Sequence, residues 1–332
     1  MAQSAARLVE TWRALPPGAV RRIDTDMTDA TFDVLAHTIF IGATEAEGRA
    51  LQQHIGAYLE HTSWDVAFEI LQVPDWVWHP SKPAMNRHAA ALHKTMHQVL
   101  ARERAKGFPG GGLMAKLGQA RDPDSGELMS DALVANNLLT FAAAGHETTA
   151  KALSWTLYLL ARSPAWQQRI ADEVARVVGS GLVTAEHLDQ LTLTRQVLKE
   201  SMRLDPPAPV IGRQATTAVD LGGQRFEKGT MLIIPVWAIH RHAKLWADPD
   251  RFDPTRFEPD KERLIKRTQF MPFGFGPRTC IGMSFAMMEG LALLATFVRD
   301  MHFDWDGRLA PEPVSRVTLR PRGGMPLSLR PR

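Results

Sequence analysis

Cys280 is the only cysteine among 332 residues, and it sits in FMPFGFGPRTCIGM (270–283), between a glycine-rich loop and an apolar run. The apolar run predicts a helix over 281–298. A cysteine opening that helix lies near unpaired backbone N–H groups and the positive helix end, which favours thiolate. A thiolate can be a nucleophile or a metal ligand, whereas a buried inert thiol is the plainest reading of the cysteine taken alone. A phosphate-cradling loop fits poorly, because 274–279 lacks the third glycine of G-x-G-x-x-G and puts Pro277 where an amide is wanted. Phe273, Gly276 and Arg278 stand seven, four and two residues before the cysteine, and Gly282 two after it. The glycines let backbone approach a flat ligand. Phe273 can shield the sulfur from water, and Arg278 can pair with an acidic group at the ligand's edge.

A second constellation is TFAAAGHETTA (140–150). His146-Glu147 begins the zinc pattern H-E-x-x-H, but Ala150 occupies the place of the second histidine, which excludes that chemistry. Gly145 inside a helix costs about 1 kcal/mol relative to alanine, so either close packing or a ligand must explain it. Ala144, Gly145 and Thr148, three and four apart, form one helix face of small residues. That face leaves room for a ligand, with an alcohol at Thr148 and an acid at Glu147. A third constellation is KESMRLDPP (199–207), where Glu200 and Arg203 stand three apart on a helix that Pro206 ends. Alone it reads as an ordinary surface pair.

These residues need elements to position them. Ser130 can cap a helix that meets no proline before Pro164, which predicts about 31 residues and roughly 47 Å. Helical spacing recurs over 29–40, 48–58, 85–104 and 165–178. The tryptophan-rich stretch 63–83 reads as a short helix and then a loop broken by Pro74, Pro80 and Pro83. From Gly212 onward, turns at Gly222-Gly223 and Lys228-Gly229 separate short runs, and a last hairpin is expected at Gly323-Gly324. The expectation is one domain over 1–332, mainly α with a minor β component, helical to about residue 210 and β-rich beyond.

Composition closes other routes. Hydrophobic residues are 45% and charged residues 23%, as in an ordinary globular protein. A net charge of +3 argues against nucleic acid as partner. The single cysteine points to a reducing, cytoplasmic setting. The weakly charged run 281–298 carries Glu289 near its centre, so a core helix is expected there rather than a membrane span.

The spacing F-x-x-G-x-R-x-C-x-G, complete at all five places, resembles the haem-binding loop of the cytochrome P-450 family, the haem-thiolate monooxygenases. TFAAAGHETTA is similar to that family's acid–alcohol pair A-G-x-E-T-T. The resemblance implies the P-450 fold and haem b, with Cys280 as the iron ligand. Phe273, Gly276, Arg278, Gly282, Ala144 and Gly145 would line the haem, and Glu147 and Thr148 would relay protons. It also implies a buried structural cluster of Glu200, Arg203 and Arg256, and haem-edge contacts from Arg213 and His240.

The expected reaction is insertion of one oxygen atom from dioxygen into an apolar organic substrate. Electrons would come from a ferredoxin or flavodoxin-type donor with its reductase, docking on Lys261, Arg263, Lys266, Arg267 and Arg278. The resemblance runs from about residue 26 to 332 and lacks the family's N-terminal helices, first strands and W-x-x-x-R helix. It therefore implies an N-terminally truncated fold. The competing expectations are a remnant that binds haem weakly or not at all, and a cysteine hydrolase built on Cys280.

Overall fold

A computed structural model describes residues 1–74, 76–122, 124–308 and 310–332. In chain order the elements are α1 (Ala2–Arg13), β1 (Ala19–Arg22), α2 (Ile23–Ala36), α3 (Glu45–His61), α4 (Ser63–Ile70), α5 (Lys82–Ala105), α6 (Gly112–Gln119) and α7 (Asp131–Ala161). After them come α8 (Pro164–Val178), α9 (Ala185–Leu188), α10 (Thr192–Leu204), β2 (Ile211–Gln214), β3 (Val219–Leu221), β4 (Gln224–Phe226), β5 (Met231–Ile234) and α11 (Val236–His240). The chain ends with α12 (Pro259–Glu262), α13 (Met283–Asp300), β6 (Met301–Asp304), β7 (Pro313–Ser315), β8 (Leu319–Pro321) and β9 (Pro326–Pro331). No helix among the described residues is long and apolar enough to cross a membrane.

The chain divides into two compact units, Asp29–Glu147 on one side and Met1–Thr28 with Thr148–Arg332 on the other. In Asp29–Glu147 the main packing is α3 on α5, around Leu51, Ile55, Leu92, Met96 and Val99. α3 begins with a full capping box, Thr44 with Glu47. Arg102 from α5 takes the same Glu47 carboxylate at 2.7 Å and 2.8 Å, which pulls that acid down to about 2. Pro83 belongs to the first turn of α5 rather than to the preceding loop, since the N–H it lacks has no partner at a helix start anyway.

In the other unit the apolar face of α13, Leu291 to Val298, is the core. α1, α8, α9 and α10 pack against it. Trp12 is buried between Phe297 and Phe303, with centroids at 5.0 Å and 5.7 Å, and donates Nε1–H to Asp26 at 2.8 Å. Strand β9 lies between β1 and β6, antiparallel to both. β2 pairs with β5, and β3 turns into β4 through Gly222-Gly223. The hairpin expected at Gly323-Gly324 is absent. β8 pairs with β7, and β9 leaves to join β1 and β6, where Leu327 and Leu329 are buried.

Two expected helices shift. The one over 29–40 starts earlier, at Ile23, because Asp24 and Asp26 suit a first turn. The helix expected from Ile281 starts only at Met283, with Gly282 as its N-cap. The long helix holds its expected length, 31 residues, with the Ser130 hydroxyl accepting from the Leu133 N–H.

Trp12→Ala removes a ring packed on two aromatics and a buried hydrogen bond. It is expected to destabilise the protein by about 3–5 kcal/mol, read as a lower urea midpoint at unchanged slope.

Candidate functional site

The cysteine loop is built by backbone geometry. Gly274 and Gly276 hold φ of +75° and +80°, conformations a side chain rarely adopts. They turn the chain so that the Cys280 N–H donates to the Phe273 carbonyl at 2.9 Å. Cys280 therefore precedes α13 instead of opening it, and its thiol is exposed rather than buried. That removes the inert-core reading. Exposed with it are Arg278 and two apolar side chains that a soluble surface would not favour, Phe275 and Ile281, the latter 86% accessible. Phe273 is half-buried beneath. An accessible thiol ringed by open apolar groups and one cation suits a flat, apolar ligand with acidic edges, which is the chemistry of haem. Among the described residues no group of three His, Cys, Asp or Glu side chains is set for a bare metal ion.

A cavity of about 730 Å³ adjoins this loop. Methionines, aromatics and leucines, including Met202, Phe270, Met287 and Leu291, form much of its wall, and Lys199 and Arg267 are among its charged members.

The loop is held from below by α10. Glu200 and Arg203 are fully buried and doubly bonded, Nε to Oε2 at 2.7 Å and Nη2 to Oε1 at 2.8 Å. The Asp253 N–H adds a bond to Glu200 at 2.9 Å, and Arg256 approaches the same oxygen at 3.4 Å. The implied three-residue cluster is thus assembled. Arg203 also donates to the carbonyls of His240, Pro249 and Arg251. His240 is wholly buried. Its Nε2 accepts the Met271 N–H at 2.9 Å and its ring lies against Phe270. Burial, then the Arg203 charge, lowers its pKa to about 4, so it is neutral. This geometry makes His240 a brace between α11 and the loop. Arg213, on β2, is half-exposed and donates only to its neighbour's carbonyl, Gly212 O, at 2.8 Å, leaving its other donors open.

On α7, burial separates the acid from the small-residue face. Glu147 is buried, while Ala144 is exposed and Gly145 and Thr148 are half-exposed. A Cβ added at Gly145 would meet Leu35 at 3.5 Å, ordinary contact. Close packing therefore does not demand this glycine, and room on that face is the remaining reason for it. Sequence reasoning missed two features. One is the buried Asp205, raised by burial to about 6 against the pull of Arg241 at 3.4 Å. The other is Glu289, noted only as a charge in an apolar run; the signal was an acid near the middle of an apolar helix.

Comparison with known proteins agrees with these features. The sequence model of the family described as Cytochrome P450 matches residues 1–325, so the similarity begins at the first residue rather than near residue 26. The chain is 32% identical over its whole length to a cytokinin hydroxylase of Arabidopsis thaliana, of which it covers 66%. It is 36% identical to cytochrome P450 4A11 of Homo sapiens, over 66% of this chain and 41% of that protein. The crystal structure of the cytochrome P450DA heme domain superposes with a TM-score of 0.87 at 26% identity, covering all of this chain and 72% of that one. The chain thus spans between about two fifths and two thirds of the length of these two curated relatives.

Arg203→Ala strands the Glu200 carboxylate and three carbonyls. A loss of about 3–5 kcal/mol is expected, with hydrogen exchange accelerating first over residues 240–253.

Proposed function

The chain belongs to the cytochrome P450 family, and we propose that it is a haem-dependent monooxygenase, inserting one oxygen atom from dioxygen into an apolar organic substrate. The observation that carries this reading is the exposed Cys280 thiol on its glycine-kinked loop, flanked by open apolar side chains. Cys280 would ligate the iron of haem b, with Phe273, Gly276, Arg278 and Gly282 around it and Arg213 supplying a further cation for an acidic edge. Haem, when bound through thiolate, supplies the oxidising chemistry and favours O–O cleavage.

The chain's own residues set the rest. Ala144 and Gly145 leave space along α7. The Thr148 hydroxyl, half-exposed, both donates and accepts a proton, and the buried Glu147 carboxyl next to it can hold one in reserve. The Glu200–Arg203–Arg256 cluster keeps the loop rigid. Electrons would arrive from a separate ferredoxin or flavodoxin-type donor served by a reductase. Of the basic residues expected to dock it, Lys261 pairs with Glu258 at 2.9 Å and Arg263 pairs with Asp260. Lys266, Arg267 and Arg278 are exposed and give an acidic partner its footing.

Haem titrated into the purified chain is expected to bind one to one. After reduction under carbon monoxide it should show a thiolate-type Soret band that Cys280→Ser abolishes. A folded sample that takes up no haem overturns the reading in favour of a haem-free member of the family. Glu147→Gln is expected to lower product formation by roughly 100-fold with haem uptake unchanged, measured as product per electron pair consumed.

A further inference from the structure

Glu289 is the one carboxyl among the described residues with both oxygens buried and without a hydrogen-bond partner of normal geometry. It stands near the middle of α13 and is 0% exposed. Helix α13 is pressed closely onto α10 here, since a Cβ at the adjoining Gly290 would come within 2.9 Å of Leu198. The Thr149 hydroxyl on α7 acts on the carboxyl as a hydrogen-bonding group without closing a bond of normal length and angle. The only charge found acting on it among the described residues is the Met1 ammonium, just before α1. α8, α9, α10 and β6, which also pack on α13, bring none.

An ionised carboxylate in such a place has neither a paired cation nor backbone N–H groups to replace water, a state proteins avoid by protonation. A protonated carboxyl is both donor and acceptor, and so is a threonine hydroxyl. Thr149 directly follows Thr148, and Glu147 is one residue further back on the same turn of α7.

We propose that Glu289 is a neutral carboxylic acid in the folded protein and a positioning residue, whose O–H binds the Thr149 hydroxyl and fixes α7 at the turn carrying Glu147 and Thr148. The contact itself stands without the monooxygenase reading; only the consequence for the acid–alcohol pair rests on it. Burial raises the Glu289 pKa from the ordinary 4.5 to about 8, in agreement with the geometry. The folded state then holds a proton that the unfolded state has released. This contribution to stability is complete below about pH 4.5 and is lost as pH rises toward about 8.

Three measurements on the full chain test this. The infrared spectrum of the wild type minus that of Glu289→Gln at pH 7 is expected to show a protonated carboxyl C=O band that vanishes above about pH 8. Absence of that band overturns the proposal. Glu289→Gln is neutral and of the same shape, so it is expected to fold and to flatten the fall in stability between about pH 5 and pH 8, where the wild-type unfolding constant rises tenfold or more. An undiminished fall in the variant overturns the proposal as well. Last, Thr149→Val is expected to cost less in a Glu289→Leu background than alone, with Glu289→Gln restoring the full cost; strict additivity removes the contact. The functional reading fails separately: if Glu147→Gln leaves turnover intact, the proton relay is lost while the Glu289 band and the coupling remain.

Discussion

A guanidinium with no exposure can persist only if each of its five N–H groups finds an oxygen. Arg203 meets that condition with two bonds to Glu200 and one each to the carbonyls of His240, Pro249 and Arg251. The demand is what shapes the irregular stretch after α11, which has few ladders or helical bonds of its own. The Trp246 ring under the guanidinium, 5.1 Å from its carbon, adds a further contact. From His240 the constraint passes to the Met271 amide, and from there to the glycine turns that present Cys280. The thiol is therefore located by a chain of directional bonds that begins on α10, rather than by packing around the sulfur. The exposed apolar side chains beside it can remain open because nothing in their own burial is required to hold the loop.

The helix α7 answers a different demand. It carries a small, open face and a buried acid within one turn, and it tolerates a glycine that no neighbouring side chain requires. Both are costs in helix stability. They are offset by the length of the helix and by anchors far from that turn, such as the Trp155 indole N–H donating to the Leu319 carbonyl at 3.0 Å. A site that spends local stability needs a distant surplus, and α7 has it at its C-terminal half.

Much of this was legible in the sequence, for identifiable reasons. The five-point spacing around Cys280 and the run 140–150 are local patterns, and the structure places them on the loop and helix that local rules predict. The length of α7 followed from a cap and the next proline. Glu200 and Arg203 read as an ordinary surface pair, because burial is fixed by α11 and the segment 248–257, remote in sequence; only the family pattern pointed to their role. The bracing role of His240 was not legible, since its Nε2 meets the Met271 amide across 31 residues of sequence. The Gly323-Gly324 hairpin failed because turn residues specify a reversal but not a partner, and β9 pairs with β1 and β6 instead. Glu289 was visible as an oddity and not as a group with a task, since its surroundings come from elements remote in sequence, Thr149 on α7 among them.

The pairing of β1 with β9 sets the order in which the protein can be made. Ala19 is matched to Leu329, so the first strand leaves the ribosome when its partner is still about 300 residues from synthesis, tens of seconds away at ~5–20 residues per second. Asp29–Glu147 is continuous in the chain and can gather its α3–α5 core during that interval. Residues 1–28 must instead wait, with the apolar face of α1 uncovered until α13 emerges. During that interval α1 and β1 are open to chaperones and to aggregation, and the arrival of α13 and β9 ends that exposure.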